Sequence, residues 1–510
     1  MNRKVRDILF FLIVFTLIFN SIPKPIQLNF IGGPVGGKLC VYPLLVGFLY
    51  SFWCQYKYGN VFCDVKKFLK YITVFIGVML LSTVVGLITY PYYDVVLNGP
   101  VNQIEKLPRV LDFLHANGIE ADRKILMQAW IIVRQIKGVF LNAFWLFGGA
   151  YLIYCWYKEE WKQAVCIATR AILISGGVII LYSAVEIFWL AHSDAAGRIL
   201  SVVNPYIHEI ETNGMWWPPL LWKNQLRSVF AEPSYYGMYM AFALPWLWYR
   251  MYQKQTWSNA AITFILTFFL ILTKARTAFM LHVGELSLLI LFCLLFARSK
   301  KVFIHVGKIL CISLCAFLIG TGFIGQYVDV GVKKADNAVV AYIESNAASL
   351  ANPEARSNKT RYSVMVADIK LGMDHPVLGV GRGLRSSYLP DYFSEKALKV
   401  EEIKMWLQFR EKLGIMRSGI PTLGEYTSRF SETGTLGLGV FLAPAVFLAV
   451  SLLKKMRNSK DAFPYIIFSV SFVGMLASGI GDTLNITYCV WVLLGLGYAM
   501  VFGKEEKNEK

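Results

Sequence analysis

The chain has 510 residues, of which 56% are hydrophobic, 15% aromatic and only 16% charged, with a formal net charge of +18 at pH 7. Soluble domains carry about a quarter charged residues, and here the apolar residues fall in long uncharged blocks. Those blocks exclude a soluble multidomain enzyme, a disordered chain and a coiled coil, and leave the +18 to be read from where the charges sit.

A membrane helix needs roughly 20 mostly apolar residues. Runs of that kind lie near 8–23, 39–55, 68–90, 138–157, 171–191, 234–250, 258–273, 277–296, 302–324, 434–453, 462–480 and 484–503, which predicts about twelve spans. The first follows Arg3, Lys4 and Arg6, as a signal peptide would, but Asn20-Ser21-Ile22-Pro23-Lys24 is a poor cleavage site. It is expected to remain as an uncleaved span.

Basic residues gather on alternate connections: Arg3/Lys4/Arg6, Lys57/Lys66/Lys67, Lys158/Lys162/Arg170, Arg250/Lys254, Arg298/Lys300/Lys301, Lys454/Lys455/Arg457/Lys460 and Lys504/Lys507/Lys510. The positive-inside rule then puts both termini in the cytoplasm. Most of the +18 is a record of topology, and no nucleic-acid partner is expected.

The outward segments near 91–128, 192–233 and 325–433 are too long for simple turns, and the last holds helical patterns at Thr360–Leu371 and Lys396–Leu413. Connections that long are usually functional. The fold class expected is therefore all-α, a polytopic integral membrane protein with a large helical outer loop. It would be organised as spans 1–9 over 1–324, the large loop over 325–433, and spans 10–12 with a cytoplasmic tail over 434–510. Nine cysteines without paired CxxC motifs indicate neither a zinc site nor a disulfide framework.

Four polar clusters stand on the outer side. In Arg227–Gly237 (RSVFAEPSYYG), Pro233 suits a helix start and Glu232 suits the positive end of the helix dipole, or a binding role. Arg227 sits at an outer boundary where orientation rules thin out basic residues. Arg276 belongs to a short outward hairpin, Leu272–Thr277 (LTKART). Its guanidinium either snorkels to lipid phosphates or grips an anion in a cavity, and the planar fork suits paired phosphate oxygens.

The third cluster opens at Arg361-Tyr362 and continues through Asp374-His375-Pro376 to glycines 379, 381 and 383, with Arg382 and Arg385. Those glycines would let backbone approach a ligand closely, and His375 is either a surface turn residue or a base. The fourth, Leu423–Leu438 (LGEYTSRFSETGTLGL), holds Glu425, Tyr426 and Glu432 and leads into the next span. Arginines 227, 276, 361, 382 and 385 thus converge on one outer face, as a lipid pyrophosphate substrate would require.

In this order, R…FAEPSxxG before a span, TxART between spans, RY…HPVLGVG in an outer loop and EY…SETGTLGL into the next span resemble the O-antigen polymerase and O-antigen ligase superfamily. The resemblance covers roughly residues 225–440. It implies a GT-C-like glycosyltransferase that needs no metal or other cofactor. Its donor is a glycan on undecaprenyl pyrophosphate, transferred with inversion to an acceptor hydroxyl.

By the same resemblance Arg276 and Arg361 would grip the pyrophosphate, with Arg227 a third candidate. Ligases of that superfamily carry a histidine in an H-N-x-Y-L pattern nine residues before the Glu of E-T-G. Here Leu423 stands in its place, while the aromatic falls on Tyr426. Polymerase is thereby favoured, with Glu425 and His375 as candidate bases. Trp216, Trp217, Tyr388, Tyr392 and Trp406 are candidates for stacking on sugar rings.

The function expected is polymerisation of undecaprenyl-pyrophosphate-linked repeat units into O-antigen, capsule or exopolysaccharide in a bacterial inner membrane, with a chain-length regulator as a possible partner. The alternatives are the ligase, which passes the glycan to lipid A core or protein, and a transporter of lipid-linked sugars. A transporter usually has paired halves, and no internal repeat is evident.

Overall fold

The computed structural model describes residues 1–28, 33–104, 106–209, 225–327, 338–343 and 356–503. Trp216, Trp217, Lys504, Lys507 and Lys510 lie outside the described residues. Among the described residues all regular structure is helical. In chain order the main helices begin with α1 Arg3–Phe15, α2 Val41–Tyr58, α3 Val65–Ile88, α4 Leu107–Ala116, α5 Arg123–Asn142 and α6 Gly149–Tyr157. Next come α7 Trp161–Leu190, α8 Asp194–Ile207, α9 Pro233–Gln253, α10 Trp257–Leu272, α11 Arg276–Phe296 and α12 Lys300–Tyr327. The last six are α13 Arg356–Asp374, α14 Arg385–Tyr392, α15 Glu401–Leu413, α16 Glu425–Asn458, α17 Phe463–Gly481 and α18 Cys489–Phe502.

Local chemistry sets several starts. The Lys4 and Lys124 N–H groups donate to the side chains of Asn2 and Asp122, which cap α1 and α5. Pro233 occupies the first turn of α9, where its missing N–H costs nothing.

Seven helices are long and apolar enough to cross a bilayer: α3, the continuous α5–α6 unit, α7, α11, α12, α16 and α17. The chain is thus multi-pass by length and composition. Helices also lie over the other five expected runs, but α1, α10 and α18 are short, and α2 and α9 are less apolar. The reason is plain for α9. It packs against α7, α10, α11 and α17, and its Tyr236, Tyr239, Trp246 and Trp248 are fully buried. A helix wrapped by others need not be apolar toward lipid.

Two cores result. The larger runs through the helix body. At its basic end Arg6 on α1 donates to Trp156 O (2.9 Å) and Glu160 (2.7 Å) and lies 4.5 Å over the Tyr157 ring, so a buried cation is fully matched. The second core forms a cap, in which Val96, Ile104 and Leu107 meet Val364, Leu371, Leu389 and Ile403. Segments far apart in sequence share it. Met127 and Ile131 of α5 also reach into it, so this helix starts earlier than the expected span and ties the cap to the body.

The cap docks on a broken helix. Within α16, Gly434 has φ 64° and ψ −167°, which interrupts the helical ladder. Donors and acceptors around the break pair with the loop after α13. Thr435 N donates to Pro376 O (2.8 Å), Val380 N to Ser431 O (3.0 Å) and Gly381 N to Glu432 O (2.9 Å). Ser82 of α3 adds a bond from its hydroxyl to Leu378 O (2.6 Å).

Glycine is required at the crossing. A Cβ on Gly434 would stand 2.2 Å from the Val377 carbonyl, and one on Gly379 (φ +66°) 2.3 Å from Glu432 C. The close approach expected of the loop glycines is therefore to the protein's own helix. Gly434→Ala is expected to cost about 1–3 kcal/mol from the positive φ alone, before the clash. A denaturant titration of the purified protein in detergent should show the lowered midpoint.

Candidate functional site

Between cap and body lies a polar-walled cavity of about 530 Å³. Asn20, Ser21 and Lys38 enter it from the connection between α1 and α2, and Glu232 and Tyr235 from the start of α9. Arg382 comes from the docked loop, Glu425, Arg429 and Glu432 from the first turns of α16, and Thr483 and Asn485 from the connection after α17. The break at Gly434 is what turns this face of α16 toward the cap.

One cation here is matched. Arg429 Nε donates to Glu425 Oε1 at 2.5 Å, and its guanidinium lies 4.0 Å over the Phe441 ring. Glu425 also accepts from Thr483 Oγ1 (2.6 Å) and Leu484 N (3.1 Å). A carboxylate holding three donors is committed as a scaffold. It is a poor proton acceptor.

Lys38 and Arg382 are different. Neither side chain has a hydrogen bond or ion pair among the described residues, and burial pushes Lys38 down to about 8 and Arg382 down to about 10. Lys38 is only 8% exposed. Lys38 is buried and Arg382 half-buried, and a cation without a partner at such a place is costly and favours an anion nearby.

The acids face them. Glu432 Oε1 accepts from Gly383 N at 3.1 Å and is the acid that most offsets the burial of Arg382. Glu232 accepts from Ser234 Oγ at 3.3 Å. Burial, then the neighbouring Asp482, hold the Glu232 carboxyl above its usual range, while Arg361 pulls the other way. Asp482 is itself pushed up to about 6 by burial, with Arg361 Nη2 3.7 Å away in opposition. Arg361 Nη1 donates to Gly481 O (2.5 Å), Arg276 Nη1 donates to Asn358 Oδ1 (3.0 Å), and the two guanidinium groups feel each other's charge.

Glu232, Arg382 and Glu425 of the expected residues thus line the cavity, and Arg276 and Arg361 adjoin it through Glu232 and Asp482. The others do not line it. Arg227 is 3% exposed and lies 4.0 Å from Glu186 of α7, whose carboxylate also accepts the N–H groups of Arg227 (3.2 Å) and Ser228 (2.6 Å). Arg385 is locked onto Asp368 inside the cap. His375 is exposed, its ring 6.2 Å from that of Tyr388. Tyr426 donates its hydroxyl to Leu476 O at 2.5 Å. Tyr388 and Trp406 pack in the cap core, and Tyr392 donates to Asp374 (2.7 Å).

Sequence reasoning passed over Lys38, Arg429 and Asp482. Two of them left a signal. Lys38 is basic in a connection that the positive-inside reading puts outward, as it does Arg227 and Arg276. Arg429 follows Glu425 by four residues, the spacing of a helical ion pair. Among the described residues no group of three His, Cys, Asp or Glu side chains could hold a metal ion. The chain matches no protein-family model and no curated protein.

Arg385→Leu is expected to strand Asp368 as a buried charge beside Ser431, which donates to it at 3.0 Å. The expected loss is about 3–5 kcal/mol of folding stability. It is measurable as an earlier denaturant midpoint, and the double replacement Arg385→Leu/Asp368→Leu should recover much of it.

Proposed function

We propose that the chain is a glycosyltransferase of the O-antigen polymerase type, acting on polyprenyl-pyrophosphate-linked oligosaccharides at the outer face of a bacterial inner membrane. The observation that carries this reading is a buried cation, Lys38, and a half-buried one, Arg382, neither hydrogen-bonded nor in an ion pair among the described residues, facing carboxylates in one cavity beside the helix body. A diphosphate on a lipid supplies the missing negative charge, and a carboxylate nearby supplies the base. The quoted motifs support it from the sequence side.

In this reading Glu232 is the general base. Of the acids lining the cavity it is lifted above the usual carboxylate range, toward the operating pH at which proton acceptance is most effective. It takes the proton of the acceptor hydroxyl as that oxygen bonds to the anomeric carbon. The bond from that carbon to the phosphate oxygen breaks, its electron pair leaves with the diphosphate, and Lys38 and Arg382 stabilise the departing charge. Arg361 and Arg276 act on the flank, where Arg361 keeps Glu232 ionisable. Glu425 and Arg429 hold the wall in shape.

Glu232→Gln is expected to lower turnover about 10²–10⁴-fold. A gel of surface polysaccharide from cells making the variant should then show a single attached repeat unit in place of a ladder. No attached glycan at all would point to the ligase instead, and a normal ladder would remove Glu232 as the base. The pH profile adds a second check. A base must be deprotonated, so activity should rise with pH along its acid limb. Because Asp482 raises the Glu232 carboxyl, Asp482→Asn should move that limb to lower pH.

One observation favours the transporter as a second reading. Glu285 and His282 on α11 are buried without a hydrogen-bond partner among the described residues, and ionisable groups at membrane depth often mark transport paths. A Glu285→Gln variant with a normal polysaccharide ladder would set that reading aside.

A further inference from the structure

A second cavity is larger than the polar one. It has a volume of about 700 Å³ and lies between the start of α3, helix α6 with Lys158 just after it, and the later turns of α16 and α18. Helix α16 lines both, the polar cavity as far as Glu432 and this one from Ala443 on, about 17 Å further along at 1.5 Å rise per residue. The walls are aromatic, with Tyr151 and Phe68 stacked at 4.0 Å.

Each tyrosine hydroxyl in these walls is spent on the protein. Tyr154 donates to Asp64 (2.6 Å), Tyr151 to Cys63 O (2.6 Å), Tyr71 to Val440 O (3.2 Å) and Tyr498 to Pro444 O (3.1 Å). Only ring faces remain for an occupant. The groove opens sideways past Phe447 and Phe502, which are 53% and 42% exposed. In a multi-pass membrane protein that side is hydrocarbon, so an acyl chain fits and a peptide, which needs backbone partners, does not.

The rim supplies the other half. Lys158 Nζ lies 2.6 Å and Lys67 Nζ 3.4 Å from the one carboxylate of Asp64. Hydrogen bonds from Lys158 and Tyr154 hold Asp64 down at about 2, so it stays charged. Two ammonium groups on one carboxylate leave one positive charge at the mouth of an apolar groove. A single phosphodiester on two acyl chains matches that charge and that shape.

We infer that this groove binds an anionic glycerophospholipid from the leaflet at the basic end of the molecule, with its acyl chain along Phe68, Tyr151 and Phe447 and its phosphate at Lys158 and Lys67. The site is separate from the polar cavity and stands whether or not the glycosyltransferase reading does. It rests on the apolar opening and the shared carboxylate alone.

The test is native mass spectrometry of the full chain in detergent, titrated with phosphatidylglycerol, with phosphatidylcholine of the same acyl chains, and with inorganic phosphate. The parent chain should retain one phosphatidylglycerol at least ten-fold more tightly than phosphatidylcholine, and inorganic phosphate should not displace it. Lys67→Gln/Lys158→Gln should erase the preference. Ala443→Trp, which fills the groove and leaves the rim intact, should remove both lipids. Equal retention of the two lipids by the parent, unchanged phosphatidylglycerol retention in either variant, or displacement by inorganic phosphate would overturn the assignment.

Discussion

The break in α16 at Gly434 fixes where everything else at the cap end can be. An interrupted helix leaves backbone donors and acceptors that must be paired, and the loop from Pro376 to Gly381 pairs them. That loop leads directly into Arg382 and follows the helix that carries Arg361. The same turns of α16 carry Glu425, Arg429 and Glu432. One backbone crossing therefore sets the relative position of most charged groups in the cavity. Ser82 of α3 locks it from below, since its hydroxyl donates to both Leu378 O and Glu432 O.

Charge matching then separates scaffold from site. Arg6, Arg227, Arg385 and Arg429 are buried or nearly so, and each has a carboxylate close by. Such pairs roughly cancel their own desolvation and are costly only when one partner is removed. Lys38 and Arg382 stand apart because burial lowers both, while among the described residues neither has an ion pair and only Arg382 has a nearby acid, Glu432, to offset it. Two such cations at one cavity are the basis on which an anion is proposed to bind there.

Much of the helical body was legible in the sequence, because long apolar runs leave few alternatives. The α5–α6 boundary was not. Arg134 and Lys137 interrupt the apolar run, yet Met127, Ile131 and Gln135 form a stripe that enters the cap, and one helix continues through both environments. The site was legible in part. Its motifs include Glu232, Arg382 and Glu425, which line the cavity, but do not show which arginines are already paired. Arg227 and Arg385 looked available because their partners, Glu186 and Asp368, sit 41 and 17 residues away. Lys38 looked ordinary because its burial depends on elements distant in sequence. Gly434 was read as the start of a span, and the need for a positive φ there comes from a loop docked by tertiary contact.

The central claim is that Lys38 and Arg382 together bind a lipid diphosphate. Calorimetric titration of the full chain in nanodiscs with farnesyl diphosphate, against farnesyl monophosphate, tests it most directly. A charge-assisted hydrogen bond is worth about 1.5–3 kcal/mol, so Lys38→Met and Arg382→Gln should each weaken diphosphate binding by roughly ten-fold or more. The parent should also favour diphosphate over monophosphate. Diphosphate binding as tight in both variants as in the parent would contradict the claim.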